Sequence, residues 1–115
     1  MQRFGRVLRL REGGAVAEYE KLHAVVWPEV LEAILQAGIR NYSIYRYDRW
    51  LFSYFELSDG ITLEQAGAVF AHSAACKRWE ERMQTLQEPL PESLGSNGWV
   101  PMKEVFHGPT KPEET

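Results

Sequence analysis

Apolar positions alternate along residues 2–10, QRFGRVLRL, with Phe4, Leu8 and Leu10 on one side. That period of two predicts a strand, and Gly13-Gly14 reads as the turn that follows it. From Ala15 to about Ala37 the steps lengthen to three and four. Val16, Tyr19, His23, Val26 and Val30 then share one stripe, the pattern of an amphipathic helix. Pro28 interrupts it, because proline has no backbone N–H and disfavours helical geometry at the preceding Trp27. We therefore expect a short helix, a break at Trp27-Pro28, and a second helix with Pro28 in its first turn and Gly38 at its end.

RNYSIYRYD and WLFSYFELSD predict two further strands joined at Asp48-Arg49. The second is apolar on both sides, with Leu51 and Phe55 on one face and Phe52 and Tyr54 on the other. Residues 62–86 return to helical spacing, in two pieces divided near His72-Ser73. QEPLPESLGSNG, 87–98, reads as a loop, and WVPMKEVFH as a last strand that Pro101 places near an edge or a bulge. No internal repeat or domain boundary is visible. We expect one domain over 1–108 and a polar, flexible tail over 109–115.

The order is β-α-β-β-α-β, an α+β, ferredoxin-like arrangement with helices on one face of an antiparallel sheet. The other face carries enough aromatic surface to need cover. Two copies packed through those faces would form a dimeric α+β barrel, so a homodimer is expected.

Composition narrows the partners. The 115 residues carry 44% hydrophobic and 25% charged positions, an ordinary soluble balance, with a net charge of −3. A protein that neutralises phosphates would be basic on one face, so no nucleic acid is expected as partner. A small, neutral or weakly polar ligand suits the balance better. Cys76 is the only cysteine, which suits a reducing compartment. Neither a secretory h-region nor a bilayer-length apolar run is present, so we expect a cytoplasmic protein away from the membrane.

Candidate chemistry starts in EYEKLHAVVWPEV, 18–30. Tyr19, His23 and Trp27 recur every four residues, so we expect them to form a column of two titratable groups and an indole on one helical face, which the Trp27-Pro28 break ends after the indole. His23 points inward on the apolar stripe and is the side chain whose ordinary pKa lies nearest neutrality. A single buried histidine is more often a satisfied core residue, but a phenol one turn earlier can orient it or bind a ligand oxygen. Tyr42 shares a strand face with Ile44, which places its hydroxyl under the helix. Trp79 and Met83 read as core, although an indole is also a platform for a sugar ring; Glu80, beside Trp79, reads as a solvated helix carboxylate. His72 and Cys76 stand four apart, but two ligands do not close a zinc site.

YEKLHAVVWPEVLEAI, NYSIY, LFSYFEL, CKRWEERM and KEVFH, in that order from about Gly5 to His107, resemble the L-rhamnose mutarotase family. Its most specific segments are Tyr-x3-His-x3-Trp-Pro-Glu and Asn-Tyr-x-Ile-Tyr. The resemblance implies a small cytoplasmic homodimer with a dimeric α+β barrel fold. It implies interconversion of the α and β anomers of L-rhamnose or a related 6-deoxy sugar such as L-fucose, with no metal or organic cofactor. His23 stands where the family has a proton-donating histidine, and Tyr19 and Tyr42 where it has sugar-binding tyrosines. Trp79 matches the first of two adjacent tryptophans that hold the sugar in rhamnose-specific members. Glu80 replaces the second and leaves the identity of the sugar open. The base that removes the anomeric proton is open among a water, a tyrosinate and His23 acting in turn. A cofactor-independent monooxygenase on the same fold, or a non-catalytic sugar-binding module, is the alternative reading.

Overall fold

A computed structural model describes residues 1–93 and 98–111 of the chain. Strand β1, Gln2–Leu10, leads into helices α1, Ala15–Ala24, and α2, Pro28–Gln36. The hairpin β2, Ile39–Tyr47, and β3, Trp50–Leu57, follows, then helices α3, Leu63–Ala71, and α4, Ala74–Gln84. Two short strands, β4, Gln87–Glu88, and β5, Val100–Met102, complete the order. The sheet runs β2-β3-β1, with both β4 and β5 paired antiparallel to the outer edge of β1. This is the ferredoxin-like order, its fourth strand divided in two.

Each boundary has a local cause. Trp27 is extended (φ −58°, ψ 136°) ahead of Pro28, which occupies the first turn of α2. Gly38 ends α2 at a φ of 81°, a left-handed geometry that a side chain would strain. Thr62 and Gln65 form a reciprocal capping box at the start of α3. Ser73 accepts the Cys76 N–H at the start of α4, which is why the helical stretch divides there.

Opposite Leu51 and Phe55 on β3 stand Leu8 and Phe4 on β1, all on the helix-covered face. Leu8, Leu10 and Leu51 are closed off by Val30 and Ala33 of α2 and by Cys76, Trp79 and Met83 of α4. Burying such side chains stabilises the fold by about 1.5–3 kcal/mol each. The other face is bare. Tyr45 opposite Phe52 and Tyr47 opposite Trp50 line it, with Tyr45 68% and Tyr47 76% exposed.

Two expectations need correction. The anticipated strand over 99–107 pairs only at Val100–Met102, and residues 103–107 run on without sheet pairing, leaving Val105 and Phe106 exposed. The anticipated loop over 87–98 opens with β4, a two-residue strand too short to carry any alternation. Residues 94–97 of that loop and 112–115 of the tail lie outside the described residues. Among the described residues, no helix is long and apolar enough to cross a membrane.

Candidate active site

Helix α1 sets the first two groups. Tyr19 is buried, and the His23 ring one turn later stacks on it, with centroids 4.0 Å apart and planes 21° from parallel. His23 Nδ1 lies 2.9 Å from the Tyr19 carbonyl oxygen. A carbonyl only accepts, so Nδ1 carries the proton and donates it, leaving the lone pair of neutral imidazole on Nε2. The column stops there. The expectation that Trp27 completes the column needs correction: α1 ends at Ala24, before Trp27 is reached. Trp27 instead meets Trp79 edge-on at 5.1 Å, and Trp79 meets His23 edge-on at 5.2 Å. The Trp27-Pro28 break thus swings an indole toward α4.

Tyr42 arrives by a β-bulge. Arg40 pairs with Glu56 and Ser43 with Tyr54, so Asn41 and Tyr42 together oppose the single residue Phe55. Asn41 takes up the irregularity at a φ of 52°, a conformation asparagine tolerates better than most residues. Alternation shifts by one, and Tyr42 turns inward to lie 5.7 Å from the Phe55 ring. Its hydroxyl accepts a 3.0 Å hydrogen bond from Arg6 Nη2.

Arg6 was not singled out by the sequence reading. It lies on the same side of β1 as Phe4, Leu8 and Leu10, and its guanidinium sits 4.8 Å from the Phe55 ring and 5.1 Å from the Trp99 ring. The signal was available: period two puts residue 6 on the apolar face, where an arginine is costly unless it has work to do. Trp99 was likewise read only as part of a strand.

Burial governs the electrostatics. It lowers the His23 pKa below the ordinary histidine value, against the opposing hydrogen bond to the Tyr19 carbonyl. It raises both phenols. The Tyr19 hydroxyl is pushed further up by Tyr42 and Glu80, and the Tyr42 hydroxyl is partly relieved by Arg6. Glu80 is not the solvated carboxylate anticipated. It is half-buried, burial raises its pKa, and Arg6 counters that rise. Tyr19, Tyr42, Glu80 and Arg6 therefore share one field, beside the imidazole.

A cavity of about 470 Å³ opens along the Tyr19–His23 column, bounded also by Ile44, Leu51 and Tyr45. Glu20 and Arg46, joined as an ion pair, also line it. Of the five residues singled out, Tyr19 and His23 line this cavity, Trp79 touches His23, and Tyr42 and Glu80 act electrostatically on Tyr19; the structure adds Arg6, Trp27 and Trp99. His72 caps α3 in solvent, whereas Cys76 is buried with Sγ 4.0 Å from the Glu29 carbonyl, so the two diverge.

A sequence model of the L-rhamnose mutarotase family matches residues 3–108. The L-rhamnose mutarotase of Lactiplantibacillus plantarum is 35% identical over 111 residues, 93% of this chain and 98% of that protein. The L-fucose mutarotase of Xanthomonas campestris pv. campestris is 31% identical over 109 residues, 92% of this chain and 87% of that protein. Among solved structures, an L-rhamnose mutarotase from Formosa agariphila superposes with a TM-score of 0.70 at 22% identity, covering 95% of this chain and all (100%) of that one. Tetracenomycin F2 cyclase from Streptomyces glaucescens superposes at 0.61 with 20% identity, covering 97% and 100%. At those identities the two structures report the fold, that of the dimeric α+β barrels.

Proposed function

The chain belongs to the L-rhamnose mutarotase family, and from that premise we propose that it interconverts the α and β anomers of L-rhamnose or a related 6-deoxy sugar such as L-fucose, with His23 moving the proton. The observation that carries the role of His23 is its fixed tautomer: Nδ1 is committed to the Tyr19 carbonyl, so Nε2 alone is left for a ligand.

Mutarotation moves one proton between two oxygens bonded to the same carbon. Neutral Nε2 takes the proton of the anomeric hydroxyl. As the C1–O5 bond breaks and O1 becomes an aldehyde oxygen, the same nitrogen returns that proton to O5. C1 then turns about C1–C2, and the reverse sequence closes the ring on its other face. One nitrogen serves both oxygens in turn, and atoms and charge balance. A positioned acid–base group accelerates such a step by about 10²–10⁴-fold. A tyrosinate is the weakest candidate for the base, because burial holds the Tyr19 and Tyr42 hydroxyls protonated. They act as hydrogen-bonding groups for sugar oxygens. Trp79 supplies an apolar wall to the C–H face of the ring, and Glu80 takes part in choosing the sugar. No metal or organic cofactor has a part in this scheme.

The same reading includes a homodimer. Its support is the bare sheet face, where Tyr45, Tyr47 and Phe52 stand exposed on a chain of the dimeric α+β barrel fold class. A cytoplasmic location accords with the single, buried, unpaired Cys76. The test is proton NMR of anomeric signals, with and without protein, over L-rhamnose, L-fucose and other common aldoses. Accelerated exchange between α and β lines is the expected result. Line shifts without exchange would make the protein a sugar binder, and no effect on any sugar would overturn the activity.

A further inference from the structure

Five buried side-chain polar atoms among the described residues have no hydrogen-bond partner: Arg6 Nε, Arg9 Nε, Ser53 Oγ, Glu80 Oε1 and Glu88 Oε2. Two of these explain each other, since Arg9 Nε and Glu88 Oε2 face one another as an ion pair at 3.2 Å. The other three fall in one place. Ser53 stands directly opposite Arg6 across the β1–β3 ladder, on the helix-covered face. Glu80 shares an electrostatic field with Arg6, yet its Oε1 and the Arg6 Nε are both left unpaired. Folded proteins pair their buried polar atoms almost without exception, so three unpaired ones grouped around the Arg6–Tyr42 hydrogen bond call for a ligand.

We propose that Arg6, Ser53 and Glu80 form a polar subsite that grips two neighbouring hydroxyls of the sugar and decides which sugar is accepted. This rests on the mutarotase reading and deepens it. Arg6 Nε can only donate, a carboxylate oxygen only accepts, and the Ser53 hydroxyl does either. A vicinal diol offers the complement, because each hydroxyl both donates and accepts. The opposite charges of Arg6 and Glu80 also select against charged sugars: a uronate or a sugar phosphate would bring a second anion against Glu80. The ligand class is therefore a neutral aldose with adjacent free hydroxyls. Arg6 is already oriented for the task, since its Nη2 is bonded to the Tyr42 hydroxyl and its flat face lies against Phe55 and Trp99. That arrangement leaves the Nε edge as its unused donor.

The experiment starts from whichever sugar the wild-type protein turns over fastest; if no sugar exchanges, the mutarotase reading fails before this one is reached. KM and kcat for anomer exchange are then measured for wild type, Arg6→Met, Glu80→Gln and Ser53→Ala, on that sugar and on its monodeoxy analogues. We expect KM for the parent sugar to rise on the order of ten- to a hundredfold in Arg6→Met and Glu80→Gln, with kcat changed less. The decisive signature is a lost difference. One particular deoxy analogue should bind wild type worse than the parent sugar does, and Arg6→Met should no longer distinguish the two. A general structural role would raise KM for every sugar by the same factor, and that result would overturn the proposal, as would KM values within twofold of wild type. If Arg6→Met does not fold, Arg6→Lys keeps the charge but removes the Nε donor, and the same loss of discrimination is expected from it. Retained discrimination in Arg6→Lys would then exclude the Nε contact.

Discussion

His23 has one nitrogen committed and one free, and that asymmetry makes its role testable by a conservative change. Glutamine can still donate one hydrogen bond to the Tyr19 carbonyl but cannot titrate near neutrality. His23→Gln should therefore cost about 1 kcal/mol or less, a shift of a few degrees in Tm. Anomer exchange should fall by roughly 10²-fold or more, the scale of a lost acid–base group. A folded variant with near-normal exchange would return His23 to a packing role. Because burial lowers its pKa, His23 stays neutral, and competent as a base, to lower pH than a solvated histidine would. The rate should accordingly be level through neutrality and decline only as pH drops below the ordinary histidine value of about 6.5. An acid limb centred above that value would assign the titration to another group. Tyr19→Phe keeps the ring stacked on His23 while removing a hydroxyl, so it should raise KM with little change in unfolding temperature.

At the scale of elements, the site depends on three departures from regularity: the break at Trp27-Pro28, the division at Ser73, and the bulge in β2. The bulge is the most exposed to test. Asn41 sits at a φ of 52°, where a β-branched side chain is strained by about 1–2 kcal/mol. Asn41→Val should lower the unfolding temperature by several degrees and raise KM, because relaxing the bulge turns Tyr42 away from Arg6. Asn41→Gly tolerates the same backbone and should keep KM near wild type. If Asn41→Val left both quantities unchanged, the bulge would not be what aims Tyr42. These elements also mark how far the sequence can be read. The period of two in β1, the three- and four-residue steps after Ala15, and Pro28 all act locally, and they were legible. The Tyr19–His23 pair was legible as well, because i and i+4 meet on any helix. β4 was not, since a two-residue strand exists only through its tertiary partner. Arg6 was missed for a different reason. Alternation placed it inward, but nothing local says that Tyr42, Ser53 and Glu80, from three other elements, converge on it.

At the scale of the whole molecule, one face of the sheet is finished and the other is not. Helices cover Leu8, Leu51 and Phe55, while Tyr45, Tyr47 and Phe52 stand in solvent. Beyond β5, residues 103–107 run on outside the sheet, and Val105 and Phe106 are 89% and 81% exposed. Apolar groups so placed lower the free energy only if a second surface covers them, and a stable interface needs about 800 Å² from each partner. In the proposed homodimer, two copies related by a two-fold axis stack face to face, with each arm lying along the other. Phe52→Glu should disrupt this pairing, because it buries an unpaired carboxylate at the centre of the face. Sedimentation should show the wild-type chain as a dimer at micromolar concentration and Phe52→Glu shifted toward monomer. Removing residues 103–115 should weaken the dimer less than Phe52→Glu does, since the arm adds area at the edge while the face supplies the centre. A monomeric wild-type chain would overturn the pairing. A truncated chain that becomes fully monomeric would make the arm, rather than the sheet face, the main contact.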